Sequence, residues 1–250
     1  GAMGLAKGLE SNSRLEHLLL ERNQLDNSAA ISIGKMLTVN TTLRVLWLGF
    51  NGIGDQGGCS MGQGIASPTC GLFVLSLSHN QMGNEACVAI SNGLATNTQL
   101  QRLWLNHNRI GDEGAIALSQ TLAHNNSILS SLSLDFNMME SRGVRALSKS
   151  LQTNTTLLSL AVAFNPRHNP TNHGNEEAHD ASTNPQTNTT HEMEFCLYRN
   201  RIGIQELLFL PVSSQWPLFI EHLIKREFGF DLCFYILRNR PDLFKPTRLQ

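Results

Sequence analysis

Histidines and carboxylates are concentrated between residues 166 and 191, where they could act as metal ligands. The set comprises His168, His173, Glu176, Glu177, His179, Asp180 and His191. Imidazole and carboxylate groups suit zinc or nickel. Their spacing matches no zinc pattern, however, and a polar loop must lose conformational entropy to close around an ion. We therefore favour a solvated surface loop, and we predict neither a metal site nor another cofactor.

Catalysis has three further candidates, His79, His107 and Asp135, which lie at or near predicted strand ends. A serine or cysteine nucleophile needs a neighbouring base and an acid that orients this base. The sequence contains no motif that combines these groups, and it contains no phosphate-binding loop. We therefore predict that the chain is not an enzyme and that it has no catalytic residues.

A recurring asparagine defines a repeat of 28 or 29 residues along most of the chain. Each asparagine follows apolar residues five and three positions earlier, as Asn108 follows Leu103 and Leu105. The series is Asn23, Asn51, Asn80, Asn108, Asn137, Asn165 and, after a longer interval, Asn200. A fixed period of this length accommodates one strand and one helix, and it indicates a solenoid.

The pattern within each unit predicts a short strand, a turn and a helix. Apolar residues two apart predict a strand with one face turned inward. Asparagine fits the turn that follows, because its amide can bond backbone groups that no longer belong to the sheet. Apolar residues four apart, such as Leu118 and Leu122, then indicate a helix. This helix is predicted to begin within 111–114 and to end near His124.

Residues 103–125 and 132–154 resemble the ribonuclease-inhibitor class of leucine-rich repeats, whose units alternate between 28 and 29 residues. The resemblance covers roughly residues 5–202. It implies an α/β leucine-rich repeat horseshoe, which is a right-handed solenoid. Parallel strands would line its concave face, and helices would form its convex face.

Three segments are predicted from these patterns. Residues 1–3 are interpreted as a cloning scar, and residues 4–202 as about seven repeats with a polar loop insertion at 166–191. Residues 203–250 are predicted to form a helical C-terminal cap over the last core face. Because the first helical half-repeat has no polar cap, we expect either a trimmed fragment or further repeats before it.

Aromatic residues at outward strand positions predict a surface that binds a protein partner. The repeat does not require the indoles of Trp47 and Trp104, and tryptophan and arginine are enriched at interface hot spots. Exposed phenylalanines would enlarge the apolar patch, and charged residues would form its polar rim. The predicted partner-binding residues are Arg44, Trp47, Phe50, Phe73, Arg102, Trp104, His107, Asp135, Phe136 and Phe164.

Local packing is the alternative explanation for the two tryptophans. They lie on strands separated by the strand of Ser76, and neighbouring strands are about 4.8 Å apart. Side chains two strands apart would then be about 10 Å apart and would touch only in part. We therefore expect two largely exposed indoles, and we favour the binding role.

The sequence thus predicts a non-catalytic protein-interaction scaffold with a partner of unknown identity. The net charge of −1 gives no reason to expect nucleic acid or an anionic membrane as the partner. No apolar run approaches the roughly 20 residues of a membrane span. Five cysteines without paired spacing favour reduced thiols. We predict a monomeric protein of the cytoplasm.

The resemblance to this repeat class implies two alternative functions. Ran GTPase activators resemble this repeat class, so the chain could activate a GTPase. Their pattern includes an acidic C-terminal stretch, whereas this chain carries Lys245 and Arg248 near its end. Larger NOD-like immune receptors also use similar repeats, as sensors that hold a nucleotide-binding domain inactive. The chain itself contains no nucleotide-binding motif.

Overall fold

The computed structural model describes residues 1–124 and 128–166 together with Met193. The predicted polar loop after Pro166, the asparagine Asn200 and the predicted cap at 203–250 lie outside these residues. The helices are α1 (Ala2–Glu10), α2 (Asn27–Leu37), α3 (Asp55–Ala66), α4 (Asn84–Thr96), α5 (Asp112–His124) and α6 (Ser141–Ser150). The strands are β1 (His17–Leu19), β2 (Val45–Trp47), β3 (Val74–Ser76), β4 (Arg102–Trp104), β5 (Ser131–Ser133) and β6 (Ser159–Ala161).

The strands form a single parallel sheet in which each strand pairs with the next in sequence, from β1 to β6. The central residue of every strand is a leucine, and the register places these leucines side by side, as in Leu46, Leu75 and Leu103. All three are fully buried. Alternating helices and parallel strands confirm the predicted α/β solenoid, and α5 spans the predicted residues.

The helices pack against one another in chain order behind the sheet, and small residues set their spacing. A Cβ atom on Gly62 of α3 would collide with the backbone of Ala89 in α4. One on Gly93 of α4 would collide with the carbonyl of Gly62. Glycine therefore permits the close approach of α3 and α4, which a larger side chain would prevent.

The recurring asparagines bond the turns of neighbouring repeats to one another. Asn80 donates from Nδ2 to the carbonyls of Leu48, Leu77 and Ser78, and its Oδ1 accepts from the backbone N–H of Ile53. Corresponding bonds are made by Asn51, Asn108, Asn137 and Asn165. Each of these side chains thereby satisfies backbone groups beyond the strand ends, in its own repeat and in the preceding one.

Acidic and amide side chains at helix starts cap the helix of the following repeat. Oδ1 of Asp112, the first residue of α5, accepts from the backbone N–H groups of Glu140 and Gly143 at the start of α6. Asp55 of α3 does the same for Gly83 and Ala86 at the start of α4. A carboxylate at a helix N-terminus satisfies unpaired N–H groups and interacts favourably with the helix dipole.

Two further observations concern the helices and the cysteines. None of the helices in the described ranges is long and apolar enough to cross a membrane. Cys59, Cys70 and Cys87 are free thiols. Burial raises the pKa of the Cys87 thiol, so this group stays protonated within the core.

Candidate protein-interaction surface

Trp47 and Trp104 form an edge-to-face pair on the strand side of the molecule. Their ring centroids are 5.7 Å apart, and the ring planes meet at 72°. Both side chains are half-buried. The expectation of two largely exposed indoles in partial contact is therefore wrong, because the side chains lean towards each other across the strand between them.

Ser76 explains how the two indoles meet. It lies between them in the sheet, paired with Trp47 on one side and Trp104 on the other. Only 3% of the serine is exposed, although its position faces outward. A small residue on β3 thus leaves room for the pair. The Nε1 atom of Trp47 is buried, and it has no hydrogen-bond partner within the described residues.

Five aromatic rings stack face to face at the strand exits, one from each of five consecutive repeats. The stack consists of Phe50, His79, His107, Phe136 and Phe164, and we call it the ring ladder. Its centroid distances are 3.8, 3.8, 4.1 and 4.4 Å, and successive planes differ by 11–14°. The guanidinium of Arg22 lies 4.4 Å above the Phe50 ring at one end of the ladder.

Every ring of the ladder is carried by a residue with a left-handed backbone. The φ angles range from 53° to 56°, and Arg22 has a φ of 58°. This conformation costs a residue other than glycine roughly 1–2 kcal/mol. Bulky residues are therefore uncommon there, and asparagine or glycine would adopt the turn more easily. An uncommon backbone conformation that recurs at every ring motivates a functional hypothesis for the ladder.

The ladder exposes apolar surface, and its position lowers the pKa of one of its imidazoles. Phe50 and Phe136 are 41% and 42% exposed, and Phe164 is 74% exposed. Burial lowers the pKa of His79 from its ordinary value, and the positive charges that His107 and Arg22 can carry lower it further. His79 therefore binds a proton less readily than a free histidine does.

The predicted rim residues lie at both ends of the strands. At the strand entrances, the Arg44 guanidinium lies 5.9 Å from the centroid of Phe73 and donates to the Gly71 carbonyl at 2.9 Å. Arg102 is exposed on β4. At the strand exits, Asp135 precedes Phe136, and its Oδ1 accepts from the Ala163 backbone N–H.

The structure thus divides the aromatic residues of the predicted surface into three groups. Trp47 and Trp104 pair in the middle of the strands, Phe50, His107, Phe136 and Phe164 join the ladder, and Phe73 stands apart with Arg44. The predicted binding set omitted His79 and Arg22. The sequence held the signal for both, because each immediately precedes an asparagine of the repeat, as the other ladder residues do.

Comparisons with known proteins agree with this architecture. A family model described as "Leucine Rich repeat" matches residues 39–61, 72–91 and 96–119. NACHT, LRR and PYD domains-containing protein 12 from Mus musculus is 34% identical over 106 residues, which cover 42% of this chain and 10% of that protein. NACHT, LRR and PYD domains-containing protein 3 from Bos taurus is 32% identical over 121 residues, which cover 48% of this chain and 12% of that protein. The chain spans about a tenth of the length of these relatives.

Two solved structures share the fold. One is leiomodin-1 actin-binding site 2, with a TM-score of 0.51 and 16% identity over 82% of this chain and 90% of that chain. The other is the tropomodulin C-terminal domain from Caenorhabditis elegans, with a TM-score of 0.50 and 11% identity over 82% of this chain and 96% of that chain. At such low sequence identity, the similarity shows a shared fold and nothing more. From the repeat, the parallel sheet and the matching family model, the chain is a leucine-rich repeat protein.

Proposed function

We propose that this chain is a non-catalytic protein-interaction scaffold that binds a partner protein through the aromatic residues of its strand side. The tryptophan pair is the observation that carries the proposal. Two indoles stand at outward positions of rigid parallel strands and hold each other in place. Large aromatic side chains of this kind dominate binding energy at protein interfaces.

Preorganisation favours binding at this surface. Association costs free energy when side chains and loops must be ordered at the interface. Trp47 and Trp104 already restrict each other, and the rings of the ladder are stacked before any partner arrives. Four predicted binding residues lie outside these two groups. Phe73, Arg44 and Arg102 would form the rim at the strand entrances, and Asp135 would belong to the rim at the strand exits.

Affinity capture from a eukaryotic cell lysate tests the proposal. The bait proteins are the wild type, the Trp47→Ala/Trp104→Ala variant and a Gln120→Ala control, which alters an exposed residue of α5 on the helix side. We expect a protein that the wild type and the control retain and the double variant loses, as measured by mass spectrometry.

Circular dichroism must first show that all three baits are folded. A Trp47→Phe/Trp104→Phe variant keeps a ring at each position and separates lost contact from lost fold. The same set of captured proteins for all four baits would contradict a binding role for the indoles.

Similarity to the NACHT, LRR and PYD proteins favours a second candidate, the sensor repeats of a larger receptor of NOD-like type. In that case the partner would be a nucleotide-binding domain, and the chain should bind the purified NACHT domain of the Mus musculus relative. The GTPase-activator alternative has a separate test, which is whether the chain accelerates GTP hydrolysis by Ran.

We extend the proposal to the repeat class, the cellular compartment and the oligomeric state. The alternation of 28 and 29 residues supports the ribonuclease-inhibitor class of repeat. The free thiols of Cys59, Cys70 and Cys87 support a reducing compartment such as the cytoplasm. We also propose a monomer without nucleic-acid or membrane partners, and analytical ultracentrifugation measures the oligomeric state directly.

A further inference from the structure

The centre of the ring ladder carries two adjacent imidazoles, and their surroundings indicate what chemistry a partner would bring. Building on the proposed function, we propose that His79 and His107 bind a carboxylate side chain from an acidic segment of the partner protein. The pair takes up a proton as this carboxylate binds.

The stacking leaves the edges of both imidazoles accessible. Their ring centroids are 3.8 Å apart, and Phe50 and Phe136 cover the two outer faces. The ring nitrogens lie on the edges, and both histidines are half-exposed. Within the described chain, neither imidazole forms a hydrogen bond to another group. The nitrogens are therefore available to a ligand.

Two carboxylates lie at the same strand exits, and neither forms a hydrogen bond with an imidazole of the pair within the described chain. Glu21 lies near the Phe50 end of the ladder. Its Oε1 is 3.2 Å from the position that a Cβ atom would take on Gly49, the residue before Phe50. Asp135 follows β5, and its backbone carbonyl accepts from the backbone N–H of His107, whereas its Oδ1 accepts from the backbone N–H of Ala163. The exits of β3 and β4 between them carry Ser78 and Asn106, which are neutral and bonded to each other at 2.7 Å.

Two arginines accompany the imidazole pair, one in the structure and one in the sequence. Arg22 covers the Phe50 end of the ladder, and Arg109 follows His107 by two residues and is exposed. The edges of aromatic rings also carry partial positive charge. An acidic peptide segment laid along the ladder would therefore find complementary charge at the arginines and hydrogen-bond donors at protonated imidazoles.

Proton uptake follows from the state of the unoccupied pair. Burial lowers the pKa of His79, and the positive charges that His107 and Arg22 can carry lower it further, so this imidazole binds a proton less readily in the free protein than an ordinary histidine does. A carboxylate within about 4–6 Å favours the charged imidazole and raises its pKa. Binding and protonation then support each other. Affinity should rise as the pH falls, by up to about tenfold per pH unit for one linked proton.

Fluorescence anisotropy with labelled peptides tests this inference on the whole chain. The probe is a blocked peptide of alternating glutamate and serine, and the matched probe replaces every glutamate with glutamine. Each is titrated with protein at about pH 8 and about pH 6, which bracket the ordinary imidazole pKa. We expect the glutamate peptide to bind more tightly at the lower pH, and the glutamine peptide to bind weakly at both.

Two variants assign the effect to the pair. His79→Asn/His107→Asn removes both titrating groups with a residue that tolerates the left-handed backbone. His124→Asn removes an exposed imidazole at the end of α5 and serves as the matched control. The pH dependence should disappear in the first variant and persist in the second.

Three results would overturn the inference: absence of glutamate-peptide binding to the wild type at both pH values, equal affinity for the two peptides, or unchanged pH dependence in the double histidine variant. None of them decides the proposed function, because capture of a partner by the tryptophan pair is measured separately and at fixed pH. A failed capture experiment would likewise leave the peptide titration to be judged by itself.

Discussion

The tryptophan pair and the ring ladder both place aromatic residues on the outward side of the strands, yet they pack differently. Trp47 and Trp104 alternate with a small residue, and they meet edge to face over Ser76. The ladder takes one ring from every repeat and stacks them nearly parallel. Alternation of large and small residues thus gives a closed pair, whereas an uninterrupted series gives a continuous stack.

The backbone separates the two groups as well. The indoles belong to strands, where an aromatic side chain is favoured. The ladder residues occupy a left-handed turn that costs each of them free energy. An aromatic residue on a strand can therefore serve packing or binding without backbone strain. A bulky residue in the left-handed turn needs other interactions to offset the free energy that its backbone conformation costs. Stacking between successive rings supplies part of that compensation.

The largest effect is expected when a bulky residue replaces the serine between the tryptophans. Ser76→Leu should force the indoles apart and lower the free energy of unfolding by about 1–3 kcal/mol, because a packed site is overfilled. Urea denaturation followed by tryptophan fluorescence measures the change. Ser133→Leu is the control, since Ser133 is half-exposed and neighbours one indole, that of Trp104, rather than lying between two. Equal losses for both variants would show that the pair does not close over Ser76.

A slightly smaller effect is expected from a β-branched residue in the ladder. Phe136→Val removes two stacking contacts and places a branched side chain at a φ of 53°. We expect a loss of about 1–2 kcal/mol in unfolding free energy. Phe136→Asn also removes the stacking but suits the turn, so its loss should be below about 1 kcal/mol. Urea denaturation measures both losses. A larger loss for Phe136→Asn than for Phe136→Val would mean that the left-handed backbone does not limit which residues the ladder tolerates.

Coupling between residues should be smaller again, and it should differ between the two regions. A double-mutant cycle of Trp47→Ala and Trp104→Ala should give an interaction of about 0.5–1.5 kcal/mol, the usual contribution of an aromatic pair. Phe50 and Phe136 are separated by both histidines of the ladder. Their alanine variants should be additive within about 0.5 kcal/mol. Strong coupling of the phenylalanines would show that the ladder behaves as one unit.

The comparison also shows what the sequence can predict. The asparagine series gives the repeat, and apolar spacing gives the strands and helices, because both follow from chain-local periodicity. The contact between Trp47 and Trp104 does not follow, since it depends on side-chain torsions above a neighbouring strand. Strand spacing alone placed the indoles about 10 Å apart. The small size of Ser76 was the available signal, and it needed to be considered together with both neighbours.

Bonds between repeats were also only partly predictable. The range 111–114 predicts where α5 begins, and Asp112 is indeed its first residue. Its bonds to the start of α6 depend on how two repeats stack, which no single unit reveals. The buried amide of Asn97 is a similar case, because it donates to the Ile65 carbonyl at the end of α3 and accepts from Leu100 after α4.

The smallest expected effect is the pH dependence that the ladder gives to stability without any partner. The pKa of His79 is lower in the folded protein than in the unfolded chain. Below the ordinary imidazole pKa of about 6.5, the unfolded chain therefore binds more protons, and the ladder's contribution to stability falls as the pH decreases towards the folded pKa. Urea denaturation of wild type and His79→Asn at several pH values measures this contribution. Because the variant lacks the titrating group, the difference between the two proteins should shrink or reverse in acid. A wild-type advantage that grows in acid would show that the folded ladder favours the charged imidazole, so the stack would need no carboxylate from a partner to hold a proton.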